Sequence, residues 1–258
     1  MIAQFALRLV CGISLMWVLM PRDRITSGFF RIQMLVALAL SALAALTLGR
    51  FAGETVGDSP LLPIGTGRIL CGILAGIACL GSIAWTLERR TFGTGCVYVV
   101  AALSTAVLLL SSVSGGELQT AVGALTLVSE LASSLMIGGA TAGMLLGHWY
   151  LTAPTMSIAP LGRVNVCFAS AALFRLVVSL AGLVLVWPSL TGGTPALWLV
   201  LRWTAGIAGP LVLAVMVWRI LRYRNTQAAT GVLFVGVIVT FIGELSATLV
   251  SRELHVPL

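Results

Sequence analysis

Eight runs of apolar residues, at about 2–20, 29–49, 68–87, 96–114, 119–148, 164–187, 196–219 and 229–250, take up most of the chain. A helix needs about 20 apolar residues to cross a bilayer, and each run is of that order. The runs are continuous rather than alternating, which predicts helices and not a membrane barrel. Stretches such as Gly57-Asp58-Ser59-Pro60, Gly115-Gly116-Glu117 and Pro188 to Pro195 separate them. Only 9% of the 258 residues are charged and 59% are hydrophobic, against about a quarter charged in a soluble domain. So few charges cannot solvate a globule of this size, and lipid has to solvate most of it. The expected fold is an all-α integral membrane protein of eight transmembrane helices, with no room for a soluble catalytic domain. Residues 2–20 read as a retained first helix, because Arg22 and Arg24 follow its apolar core instead of preceding it.

Arginine placement predicts the topology. All fifteen cations are Arg. Nine of them, Arg22, Arg24, Arg31, Arg89, Arg90, Arg163, Arg219, Arg222 and Arg224, fall after runs one, three, five and seven. The opposite side carries Arg50, Arg68 and Arg252. That bias predicts a bacterial-type inner membrane, the arginine-rich side cytoplasmic and both termini periplasmic. Trp17, Trp85, Trp149, Tyr150, Trp218 and Tyr223 are expected at the cytoplasmic interface, with Trp187 and Trp198 at the outer one. Topology and anionic headgroups account for the net charge of +7, so the expected partner is the bilayer and nucleic acid is not needed.

The two halves resemble each other at offsets of 132–136 residues. Trp17 matches Tyr150, Pro21 matches Pro154, and Arg31-Ile32-Gln33 matches Arg163-Val164-Asn165. Arg68 matches Arg202, Ala75-Gly76 matches Ala208-Gly209, Trp85 matches Trp218, Arg89 matches Arg222, Thr94-Gly95 matches Thr230-Gly231, and Glu117 matches Glu253. We expect two tandem four-helix repeats, residues 1–125 and 126–258, parallel because four is even. Where the copies differ, Glu244 aligns with Leu108, His148 with Leu15 and Arg175 with Leu43, and Glu130 has no counterpart. The first repeat reads as scaffold and the second as the carrier of function.

A charge in the middle of a membrane needs a partner, a cavity or neutralisation. The proton-path or ion-pair candidates are Glu130, Glu244, Arg175, Arg202 and Arg8. Helical side chains lean toward their N-terminus, which turns Arg175 and Glu244 inward and Glu130, Arg8 and Arg202 outward. The expected pairs are Arg175 with Glu244, and Glu130 with Arg202 or Arg8. These groups read as structural pairs, as a proton or substrate pathway or, for Arg8 and Arg202, as snorkelling helix ends. Thr240, Glu244 and Thr248 share one helix face, and Glu130, Ser134, Thr141 and His148 form a stripe about 27 Å long on another. Gly139, Gly143 and Gly147, like Gly72 and Gly76, have the spacing of helix packing. His148, Trp149 and Tyr150 follow the first of these sets and are candidates for a quinone headgroup or an interfacial anchor.

The five cysteines form no metal or disulfide pattern, and because one of the two histidines, His255, is in the tail beyond the last span, His148 alone cannot supply a buried bis-His haem. No metal or covalent cofactor is expected. The absence of Lys excludes a retinal Schiff base and a phosphate loop of the Lys type. Intrinsic catalysis by the isolated chain is therefore not expected. In architecture alone, paired four-helix bundles with short loops resemble the eight-helix quinol-handling anchor subunits of bacterial respiratory enzymes, with none of their motifs matched here. The first expectation is a membrane subunit of an energy-converting complex, with a quinone pocket or proton path and other membrane or redox subunits as partners. The second is a small secondary transporter or channel using the Glu/Arg cluster, with Gly206, Gly209 and Pro210 interrupting its span. The third is a structural assembly subunit without a ligand.

Overall fold

A backbone in lipid has no water to bond to and must satisfy itself, which long apolar helices do. The computed structural model describes residues 2–49, 61–114, 116, 120–153, 156–186 and 194–254. Its helices are α1 (Ile2–Leu19), α2 (Ser27–Thr47), α3 (Ile64–Thr86), α4 (Arg90–Ser112), α5 (Ala121–Thr152), α6 (Ala159–Val186), α7 (Thr194–Trp203), α8 (Gly209–Arg222) and α9 (Thr226–Leu254). A π-helical turn, Thr204–Ala208, joins α7 to α8. Together they make one span, so eight helices are long and apolar enough to cross a membrane. The chain is an all-helical, multi-pass membrane protein with no strand among the described residues. The 57–60 turn, Arg50, Glu117, Pro154, Trp187 and His255 lie outside those residues.

Because the number of spans is even, α1 begins and α9 ends on one face, the termini face. The nine arginines after alternate spans occupy the other. In each half, four spans close a ring of neighbours. α1 packs on α2 and α4, and α3 packs on the same two; α5 packs on α6 and α9, and the α7–α8 span packs on α6 and α9. The halves join chiefly along α1 and α5. There a Cβ on Gly12 would collide with the Ser134 carbonyl oxygen, and one on Gly138 with the Gly12 backbone. The two backbones touch, which only glycine permits. Residues facing outward are apolar too, such as Leu46, Ile69, Val184 and Leu197, as a lipid-facing surface requires.

Two expectations fail in the first half. Trp17 and Trp85 lie near the ends of α1 and α3 but do not face lipid; both are fully buried in the bundle. Trp85 stacks on Phe30 at 4.7 Å between centroids, and Gly93 makes room for the indole, since a Cβ there would stand 2.8 Å from it. Core packing thus outweighs the interfacial preference of indole at these sites. Gly72 and Gly76 pack against nothing: among the described residues no atom comes within 4 Å of a Cβ at either position. They lie on the outward face of α3, turned away from the side that buries Cys71, Leu74 and Ala78.

Candidate functional site: an intramembrane arginine–glutamate network

Five charged side chains from five different helices meet in the half of the bundle nearer the termini face. α1 supplies Arg8, α5 Glu130, α6 Arg175, α7 Arg202 and α9 Glu244. Glu130, Arg175, Arg202 and Glu244 are each 5% exposed or less.

Arg8 grips Glu130 side-on. Its Nε donates to Oε2 at 2.6 Å and its Nη2 to Oε1. Gln4, one turn earlier on α1, adds a bond to Glu130 Oε1 at 3.1 Å and reaches Ser112 on α4 at 3.3 Å. The remaining Nη1 of Arg8 donates to Thr248 at 3.1 Å, and Thr248 in turn donates to the Glu244 carbonyl. The first half is thereby tied to α9.

Glu244 serves two arginines. Arg175 Nε donates to Oε1 at 3.0 Å and its Nη2 to Oε2 at 3.2 Å, while Arg202 Nη1 donates to Oε1 at 2.9 Å. Ser133 completes the set with a bond to Oε2. Four donors match the roughly four lone-pair directions of a carboxylate. Ser129 accepts from Arg175 Nη1 at 2.6 Å, and Ser179 from Arg202 Nη2 at 2.7 Å. Fork-shaped, charge-assisted bonds of this kind hold both position and angle.

The sequence paired Glu130 with Arg202 or Arg8, both leaning toward the termini face; Arg8 takes Glu130, and Arg202 does not. Instead it leans the other way and joins Glu244. The reason is local. Gly206, one turn on, has no side chain, and a Cβ there would stand 2.7 Å from Arg202 Nη1. Gly206 also lies against Gly243, the neighbour of Glu244: a Cβ on Gly243 would collide with Gly206 Cα. This contact brings α9 close enough for the Arg202–Glu244 bond. The π-turn accompanies the same stretch. Gly209 N–H reaches back five residues to the Thr204 carbonyl, and Pro210, buried at the start of α8, has no N–H to donate. Such turns break the regular ladder and often occur at functional sites.

The stripe on α5 connects this network to the arginine-rich face. Glu130, Ser134 and Thr141 are buried, whereas His148 is exposed at the far end. Gly139 meets Phe168 of α6, Gly143 meets Leu233 of α9, and Gly147 meets Thr230 of α9. His148, Trp149 and Tyr150 do not converge on one headgroup. Successive helical residues point about 100° apart, and each goes its own way. His148 meets the edge of Phe234, at 6.4 Å between centroids. Trp149 donates to Thr26 at 2.8 Å and packs on Phe29. Tyr150 is buried and donates to the Ser157 carbonyl. Tyr150 also lines a cleft of about 510 Å³ with Met156, Ser157, Ile158, Ala159, Arg224 and Thr226.

Sequence reasoning missed Gln4, Ser129, Ser133 and Ser179. Their signal was present, since Ser133 follows Ser129 by one turn and Ser179 follows Arg175 by one turn. It also missed Gly12, Gly138 and Gly243, whose spacing with other glycines is unremarkable. The chain matches no family model, no curated protein and no solved structure.

Proposed function

We propose that this protein is a small secondary transporter or channel whose solute passes by the Arg175–Glu244–Arg202 cluster. The observation that carries the reading is that cluster's position beside an interrupted span. Transport sites in membrane bundles are commonly built beside broken helices. Arg202 and Glu244 flank the π-turn and the Gly206–Gly243 contact, where the regular backbone is already broken. The four donors on Glu244 leave no acceptor direction open, which favours a fixed binding element over a proton relay. We read the two halves as tandem parallel repeats with an internal axis along the membrane normal. The matching rings of neighbours support this, as does a left-handed non-glycine residue at the end of each third span, Glu88 (φ 54°) and Arg224 (φ 56°). Arginine placement favours a bacterial-type inner membrane with periplasmic termini.

The test is flux. Purified protein in proteoliposomes on a solid-supported membrane, challenged with a panel of inorganic ions and small organic acids and bases, is expected to give solute-dependent currents. These should fall about ten-fold or more in Glu244→Gln, the equivalent of one charge-assisted bond. Folded protein that passes none of the panel contradicts the reading.

The cleft beside Tyr150 favours one other reading, a membrane subunit of an energy-converting complex that holds a quinone headgroup there. Its volume falls in the range of small-molecule sites, and Arg224 and Thr226 supply polar contacts. Redox subunits retained after mild detergent extraction would support this reading, and a lone chain would count against it.

A further inference from the structure

Arg202 is 1% exposed, yet its Nε–H has no hydrogen-bond partner. Its other nitrogens are engaged, Nη1 by Glu244 and Nη2 by Ser179. A guanidinium presents Nε–H and one Nη–H along a single edge, so this edge is half used. Leaving a charged donor unpaired away from water is costly, and buried polar groups in native structures are nearly always satisfied.

A second orphan lies on α9, one turn from the Glu244 that Arg202 bonds. Thr240 is 0% exposed, and its hydroxyl also has no partner. Buried Thr141 of α5 is orphaned too, but seven other threonines in the bundle spend that hydroxyl on the carbonyl four residues back. Thr47, Thr86, Thr105, Thr126, Thr204, Thr230 and Thr248 all do so. Thr240 does not, although Thr230 and Thr248 flank it on the same helix. It sits one turn from Glu244 on the same face, midway between the ends of α9. Ser179 adds a third donor, because accepting from Arg202 leaves its own hydroxyl proton available.

We infer that Arg202 Nε, Thr240 Oγ1 and Ser179 Oγ form a binding site for a small monovalent anion of halide or nitrate size. The three groups offer protons. Two guanidiniums share one carboxylate beside them, which repels a cation and favours negative charge. A guanidinium edge and two hydroxyls surround only a small ligand. This assignment rests on the transport reading only in naming its solute class; the site itself rests on the orphaned donors.

The test is thermal unfolding of the full chain in detergent, with chloride exchanged for gluconate at constant ionic strength. Chloride is expected to raise Tm saturably, by roughly 3–6 °C at ten times the midpoint concentration. Thr240→Val, which keeps the shape and removes the donor, should move the midpoint up about ten-fold, and Arg202→Lys should move it as far or further. Gly76→Ala, in open space on α3, should titrate as the parent does. Equal melting in chloride and gluconate overturns the site, and so does a Thr240→Val titration that overlays the parent's. Saturable chloride stabilisation without flux in proteoliposomes would retire the transport reading and leave the site standing. Flux of another solute with no chloride response would do the reverse.

Discussion

At the scale of single residues, each buried charge is held by a specific partner. Arg8 and Glu130 form a closed side-on pair between the two halves, and removing one member of such a pair typically costs ~3–5 kcal/mol. Arg8→Glu should therefore melt far below the parent, because two carboxylates would then face each other. The exchange of both, Arg8→Glu with Glu130→Arg, should recover most of the lost Tm. If the double exchange melts no higher than the worse single variant, the two groups do not hold each other. The charged residues were legible from composition alone: five ionisable groups inside apolar runs must find partners. Which partner each one finds was not legible. The choice between Glu130 and Glu244 for Arg202 depends on the side chain missing from Gly206, and a rule about side-chain lean assumes an ordinary residue there.

At the scale of helices, the eight runs and their order could be read directly, because apolar length is a sufficient signal for a membrane span. The contacts between helices could not. Gly139, Gly143 and Gly147 pack on neighbours, whereas Gly72 and Gly76, with the same spacing, face outward. Spacing puts small residues on one face and leaves open which way that face turns. The closest crossings instead use Gly12 with Gly138 and Gly206 with Gly243, each pair formed by residues far apart in sequence. Gly243→Ala is a sharp probe of the second crossing, since its methyl would meet backbone and not a flexible side chain. Overpacking of this kind costs about 1–3 kcal/mol or more. The expected result is a Tm loss of several degrees, together with loss of any anion response, because α9 can no longer bring Glu244 to Arg202. A variant that melts and titrates as the parent does would remove the crossing from the account.

At the scale of the whole molecule, the first half is packed around aromatic residues such as Trp17, Phe30 and Trp85, and the second combines an apolar cluster about Met136 and Phe168 with the buried arginine–glutamate network. Arg68 and Arg202, matched between the halves, show the contrast. Arg68 is exposed and donates to the Leu48 carbonyl near the end of α2, while Arg202 is buried among three helices. The scaffold character of residues 1–125 is only partial, because α1 contributes Arg8 and Gln4 to the network. Alignment of the halves concealed this, since it drew attention to the second copy. The network therefore spans the seam, and bundle stability should depend on its charge balance. Thermal unfolding of Glu244→Gln, Arg202→Met and the double variant in detergent tests this most directly. Glu244→Gln alone leaves two guanidiniums beside a neutral side chain and should lose about 3–5 kcal/mol. Adding Arg202→Met removes one of them and should return at least about 1.5 kcal/mol, a coupling within the range for residues in one network. Losses that simply add would mean that Arg202 and Glu244 do not act on each other inside the membrane.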